Sequence, residues 1–416
     1  MKKTIILTLL IVTNHQIFSQ EKKVLFLGNS YTEYFNLPQL LVNMSQSTND
    51  VLVVDSNTPG GNTLQGHSTN AVSLAKIAQG NWDFVVLQEQ SQLPAFPLNQ
   101  VATQVFPYAE SLNATIIAQN PCAETVFYMT WGRQNGDVDN CGTNPPVCSY
   151  IGMDNLLKER YLTMTNSNNA IVSPVSVVWR YIRENYPAMN LYDPDGSHPS
   201  ILGSYIAACC FYTTILRKNP TLITFNAGLS TADATIIKTA TKSLVFDNLL
   251  QWKVGSYDPI SNFTTTNLYT TVVSFSNTSS NANEYLWDFG DGQTSIENNP
   301  THTYPTAGQY LVKLTASKCG INNAYEQLII TSNLSNADQS SVKNKCTVFP
   351  NPTKSTLFID SPDKIELLEL FDIFGRLIAI YPKVVSNIDF SDKNSGIYLL
   401  KIHTTKGVQT EKIIKE

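Results

Sequence analysis

Ser30 stands where an apolar run, Val24-Leu25-Phe26-Leu27, breaks off at Gly28-Asn29. A serine hydroxyl is a weak nucleophile until a base takes its proton. The informative question is therefore which bases the chain can bring to it. There are five histidines. His15 lies in the apolar N-terminal stretch, and His302 and His403 lie in β-rich segments far downstream, which leaves His67 and His198. His198 occurs in YDPDGSHPS, three residues after Asp195. A carboxylate at that spacing can hold the imidazole Nδ1–H while Nε2 faces the serine, the arrangement that makes a hydroxyl reactive. Pro199 and a long apolar stretch follow. Proline favours the first turn of a helix, so His198 is expected at a helix cap, where the dipole favours the neutral imidazole a base requires. His67, in GGNTLQGH, has no acidic neighbour in sequence and reads as a wall or packing residue that touches substrate at most. Plainer readings stay open: a serine between strand and helix commonly caps the helix, and Asp-x-x-His is a common loop feature.

Something must hold Ser30 and His198, 168 residues apart, face to face. Residues 21–253 alternate short apolar strands, near 23–28, 51–55, 84–88, 125–130 and 170–174, with helical stretches such as Val101 to Ala118 and Asn155 to Met164. This alternation predicts an α/β fold, a flavodoxin-like three-layer α/β/α sandwich around a parallel sheet. Ligands of such sheets bind at the carboxyl ends of the strands, and Ser30 sits just past the first of these ends. The sequence YMTWGRQNGDVDNCG follows strand four. It puts Trp131 and Arg133 on the same edge, where they can meet a sugar face and a polar substituent; a structural role for Trp131 is equally open. After Tyr257 the chain becomes rich in Thr, Ser and Asn with short alternating strands (TTVVSF, QYLVKLTAS), which predicts an antiparallel sandwich over 258–333. A polar linker, 334–344, precedes a small alternating β module at 345–416.

The formal charge of -5 and the lack of any basic run argue against nucleic acid as a partner. The opening MKKTIILTLLIVTNHQIFSQ reads as a secretory signal, residues 1–19. Its apolar stretch is too short to span a bilayer, and no later segment has that unbroken length, so an exported chain without a transmembrane segment is expected. Seven cysteines leave one thiol over. Cys141 and Cys148 flank a Gly/Asn/Pro-rich loop and form the favoured bridge, with Cys122 as the alternative partner. Cys209 and Cys210 read as buried packing residues. No CxxC or HExxH pattern occurs, and neither a metal nor an organic cofactor is expected.

Residues 21 to about 217 resemble the SGNH (GDSL-like) hydrolase family. Gly28-Asn29-Ser30 matches its first block and Asp195-Gly196-Ser197-His198 its last, in the same order. The resemblance implies a Ser30, His198, Asp195 triad, and Asn29 beside it joins Trp131, Arg133 and His67, read above from their positions, as the expected substrate-side residues. It implies an oxyanion hole from the backbone N–H of Ser30 and of a second-block glycine, matched in TPGGNTL by Gly61 or its neighbour Gly60; a simple turn glycine is the rival reading. The family's third block, Gly-x-Asn-Asp, is replaced here by Gln88-Glu89-Gln90-Ser91. A glutamine amide offers the same N–H donor, and Gln88 and Gln90 are both candidates.

Residues 258–333 resemble a polycystic-kidney-disease (PKD) domain through Trp287-Asp288-Phe289-Gly290-Asp291-Gly292, His302-Thr303-Tyr304, Gly308 and Tyr310. Residues 345–416 resemble the C-terminal sorting domain of the type IX secretion system through Phe349-Pro350-Asn351-Pro352, LFDIFGR, SGIYLLKI and Lys412-Ile413-Ile414-Lys415. Together the resemblances imply a secreted or surface serine esterase, handled by the type IX machinery, acting on a small ester or on O-acetyl groups of a polysaccharide. The rivals are a non-catalytic glycan-binding or adhesion protein on a hydrolase scaffold, and a lipase or thioesterase of the same fold.

Overall fold

The first strand, β1 (Lys22–Leu27), is buried on both faces from Val24 to Leu27, as a continuous apolar run in a central parallel strand requires. In the computed structural model, which describes residues 21–266, 270–331, 346–373, 375–381 and 386–416, it pairs in parallel with β2 (Leu52–Asn57) and β3 (Phe84–Leu87). β4 (Glu124–Tyr128) and β5 (Ile171–Ser173) continue the parallel sheet in the order β2-β1-β3-β4-β5. The signal segment 1–19 and the linker 334–344 lie outside the described residues. In this strand order the connections leave β1 to opposite sides, so the crevice at the carboxyl ends of β1 and β3 is where a ligand site is expected.

One helical layer comprises α2 (Leu37–Gln46), α8 (Val175–Asn185), α9 (Ile201–Leu216) and α10 (Thr231–Leu244), which pack on one another. The other is built on α3 (Leu64–Thr69), α4 (Ala71–Ile77), α5 (Leu98–Gln104), α6 (Phe106–Gln119) and α7 (Tyr150–Ser167). A short α1 (Ser30–Glu33) follows β1 directly. Helix α9 is buried from Gly203 through Ile215, and its Phe211 meets β1 edge-on through Phe26, ring centroids 5.4 Å apart. Cys209 and Cys210 are buried free thiols in this helix.

Two local expectations are corrected. The stretch Val101 to Ala118 is two helices, broken at Val105 (φ -124°, ψ -59°). Pro107 has no N–H for the carbonyl four residues back, and its ring crowds that carbonyl. His198 is not a helix cap: α9 is capped by Ser200, whose hydroxyl accepts the Gly203 N–H. Pro199 instead bridges Tyr192, and Asp193 N–H bonds His198 O, so residues 193–198 form a closed loop ahead of the helix.

Downstream, β6 (Phe263–Thr266), β7 (Val272–Asn277) and β10 (Thr301–Thr303) form one antiparallel sheet. β8 (Glu284–Asp288), β9 (Thr294–Ser295), β11 (Gly308–Lys318) and β12 (Ile321–Thr331) form a second, ordered β12-β11-β8-β9. In the WDFGDG turn, Asp288 and Asp291 accept the N–H groups of Gly290 and Gln293, and Asp291 also bonds His302 Nε2 at 2.8 Å. Its carboxylates therefore serve the turn. The last module has sheets β13 (Thr347–Phe349), β14 (Thr356–Asp360), β17 (Asn387–Asp389) and β16 (Leu377–Tyr381), β15 (Ile365–Asp372), β18 (Gly396–Thr404), β19 (Gly407–Lys415) around its own apolar core.

The bridge Cys141–Cys148 is present. Cys122, expected as an alternative partner in that loop, is bonded to Cys319 at the tip of the β11–β12 hairpin, 197 residues away. Residues 315–324 cluster with the α/β domain, which brings that tip within reach.

Candidate active site

The strand-to-helix turn after β1 answers whether Ser30 is a cap. The cap is Asn29, whose Oδ1 accepts the Tyr31 N–H at 3.1 Å. That leaves the Ser30 hydroxyl uncommitted to the helix. Gly28 permits the turn to close on β3: a Cβ there would lie 2.6 Å from Gln88 Oε1 and 2.5 Å from Thr32 Oγ1.

Ser30 Oγ lies 2.8 Å from His198 Nε2. His198 Nδ1 bonds Asp195 Oδ2, and the other oxygen of Asp195 accepts the N–H groups of Ser197 and His198, each at 2.9 Å. Partial desolvation pushes the Asp195 carboxyl up, but the hydrogen bonds from His198 and the two backbone N–H groups outweigh it, and the net is a carboxyl held below its ordinary range. Three groups thus form a continuous hydrogen-bonded relay with an ionised carboxylate at one end.

A stack of aromatic rings braces the loop that carries Asp195 and His198. Trp131 is sandwiched between Tyr31 (4.8 Å, interplanar 3°) and Trp179 (3.8 Å, 3°). Its Nε1 donates to Ser197 O at 3.1 Å, and the Tyr31 hydroxyl bonds Ser197 Oγ at 2.7 Å. Trp131 is fully buried, which corrects the expectation that it meets a sugar: its ring faces are covered by protein. His67 is corrected likewise. It is buried, its Nε2 bonds Gly28 O at 2.8 Å and its Nδ1 bonds Ser73 Oγ at 2.7 Å. A carbonyl only accepts, so Nε2 carries the proton, and no ring nitrogen is left for substrate. Burial also lowers the His67 pKa.

Asn29, expected on the substrate side, is 2% exposed and works as a clamp. Its Nδ2 donates to Asn62 O at 2.9 Å, fastening the turn that contains Gly61 beside the serine. Gln88 is corrected as an oxyanion donor. Its Oε1 accepts Asn29 N–H and the Thr32 hydroxyl, which fixes the amide's orientation, and its Nε2 donates to Asn29 Oδ1 and Glu89 O. Both of its N–H bonds are spent. Gln90 is corrected for the same reason: Nε2 donates to Ser91 Oγ and Gln92 Oε1 while Oε1 accepts two backbone N–H groups.

Gly61 is the third residue of a turn closed by Asn62 N–H to Pro59 O, at φ +66°, where glycine is favoured. The turn reading therefore has a physical basis. The N–H of Gly61 and that of Ser30 have no hydrogen-bond partner among the described residues, and Asn62 Nδ2 next door is buried and equally without one. Arg133 pairs with Asp137 at 3.3 Å and its Nε is buried without a partner; its charge reaches the Tyr31 hydroxyl.

Sequence reasoning passed over several residues here. Glu89 is buried and accepts Leu64 N–H at 3.1 Å and Gln90 N–H at 2.6 Å, and burial pushes its carboxyl up to about 8 despite them. Tyr34 stacks on the His198 imidazole, 4.3 Å apart and 14° from parallel. Phe35 follows at φ 52°, ψ 21° and is 48% exposed as a residue, and Asn36 is also left-handed. That conformation costs a non-glycine residue about 1–2 kcal/mol. Asn36 offsets its share by capping α2 through Gln39 N–H. An aromatic next to the first apolar-to-polar break is the only sequence signal these residues give.

Comparison with known proteins bears on the C-terminal modules most directly. Residues 258–331 match the model of the PKD domain, and residues 347–416 that of the secretion system C-terminal sorting domain. The chain carries a PKD domain and a sorting domain. The sorting domain supports export to the cell surface or beyond, and among the described residues no helix is long and apolar enough to cross a membrane. Collagenase ColA of Bacillus cereus is 49% identical over 47 residues, 11% of this chain and 5% of that protein. The chain thus spans about a twentieth of the length of that curated relative. Among solved structures, a putative SGNH hydrolase from Slackia heliotrinireducens is similar at 27% identity, covering 47% of this chain and 100% of that one with a TM-score of 0.38. A DUF4886 family protein from Bacteroides uniformis is similar at 15% identity, covering 56% and 96%, with a TM-score of 0.47.

Proposed function

We propose that the chain is an exported serine esterase of the SGNH type and that its substrate is an O-acetylated polysaccharide. The observation that carries the reading is the relay from Ser30 Oγ through His198 to Asp195. Ser30 Oγ attacks the ester carbonyl as its proton passes to His198 Nε2. The C–O bond breaks, and the alcohol leaves with that proton. Water then attacks the acyl-serine, again giving a proton to His198, and the acid departs as Ser30 Oγ is reprotonated. Asp195 holds the imidazole tautomer and stabilises the imidazolium formed twice in the cycle. The free N–H groups of Ser30 and Gly61 hold the oxyanion.

The test is hydrolysis of p-nitrophenyl acetate and release of acetate from a panel of acetylated glycans by the wild type and Ser30→Ala. Turnover that falls at least about 10⁴-fold in the variant supports the reading. Equal turnover by both proteins, or none by either, contradicts it.

A further inference from the structure

We propose that Tyr34 and Phe35 form an aromatic shelf that seats the sugar ring bearing the scissile ester. The inference rests on the esterase reading of Ser30 and names the kind of alcohol that reading leaves open. His198 must return its proton to the departing alcohol, so that alcohol lies within reach of Nε2. Tyr34 covers a face of the same imidazole, ring centroids 4.3 Å apart. The leaving group therefore sits close to Tyr34. Phe35, an exposed residue, extends the surface, its ring 6.4 Å from that of Tyr34 and inclined at 70°. The fold holds Phe35 in the left-handed region, and a strained, exposed aromatic whose neighbour Tyr34 stacks on the base points to use of that side chain.

The surroundings choose the occupant. Glu33 and Asn36 flank the shelf in sequence and are exposed. Asp193 and Asp195 act electrostatically on the Tyr34 hydroxyl, whose pKa is raised by desolvation and then by these carboxylates. One face of a pyranose carries C–H bonds that rest on the negative face of an aromatic ring. Its edge carries hydroxyls that donate to carboxylates. A fatty alcohol laid on the same shelf would strip water from those carboxylates without replacing a hydrogen bond. The sugar contact expected of Trp131 is thus assigned to the two aromatics that follow the nucleophile.

The experiment compares wild type, Phe35→Gly and Phe35→Trp on acetylated xylo-, manno- and gluco-oligosaccharides, on p-nitrophenyl acetate and on a long-chain p-nitrophenyl ester, with thermal melts of each protein. For Phe35→Gly, kcat/KM on at least one oligosaccharide should fall about tenfold further than on p-nitrophenyl acetate. The loss should sit in KM, and Phe35→Trp should restore it. Glycine occupies the left-handed region freely, so the melting temperature of Phe35→Gly should hold or rise. Equal losses on oligosaccharide and p-nitrophenyl acetate, a lowered melting temperature, or a loss confined to the long-chain ester would each overturn the shelf. So would a wild type that hydrolyses p-nitrophenyl acetate but no oligosaccharide. A wild type inactive on every ester overturns the esterase reading itself.

Discussion

At the scale of single residues, the site separates groups with free valences from groups already spent. Ser30, His198 and Asp195 form one relay, whereas Asn29, Gln88, Gln90 and His67 use their polar atoms to hold the turns around it. Asp195→Asn should lower kcat on the order of 10³-fold or more, because the amide can no longer fix the imidazole tautomer or stabilise its charge. Steady-state kinetics with unchanged KM would show it; a loss below tenfold would mean Asp195 does not act through His198. Because hydrogen bonds from His198 and two backbone N–H groups hold the Asp195 carboxyl below its ordinary range, its protonation should set in at lower pH than that of a free aspartate. The meeting of Ser30 with His198 was legible because few residue types can activate a hydroxyl and the α/β domain holds only two histidines. The fate of the amides was not, since Gln88 and Gln90 differ only in which neighbours the folded turns bring to them.

Among elements, the joint between β3 and α3 stands out. Glu89, just past β3, accepts the first N–H of α3 and so ties the Gly61 turn to the sheet. Its carboxyl is raised to about 8. A group whose folded value lies above its unfolded one of roughly 4.3 is protonated in the folded state while the unfolded chain has lost its proton. Stability therefore falls as pH rises from about 4.5 to about 8 and levels off above that. Glu89→Gln cannot titrate, so its melting temperature relative to wild type should climb over this interval. A constant difference from pH 5 to 9 would show that Glu89 does not titrate there. Strands β1, β3, β4 and β5 were readable from apolar runs that the fold buries, whereas β2, at the sheet edge, buries only Leu52. The break at Pro107 was passed over inside one helical stretch, and at the loop before α9 a local rule (proline near a helix start) gave the right element and the wrong boundary.

On the scale of the whole molecule, the two disulfides close loops of very different length. In the chain-entropy picture, the Cys122–Cys319 bridge, spanning 197 residues, contributes about 5 kcal/mol, and the Cys141–Cys148 bridge, spanning 7, about 2 kcal/mol. Cys122→Ser should thus lower denaturant stability more than Cys141→Ser does; the reverse order would mean the long bridge adds no constraint. The WDFGDG and FPNP signatures marked the PKD and sorting domains. The long bridge could not be read, because its two cysteines lie in different compositional segments and only the fold brings them together.

The most direct measurement is covalent trapping. The full chain is treated with a fluorophosphonate, and the modified peptide is located by mass spectrometry. The expected result is a single adduct on Ser30, formed rapidly by the wild type and hardly at all by His198→Ala. Labelling at another hydroxyl, or equal labelling of Ser30 with and without the imidazole, would contradict the relay as the source of reactivity.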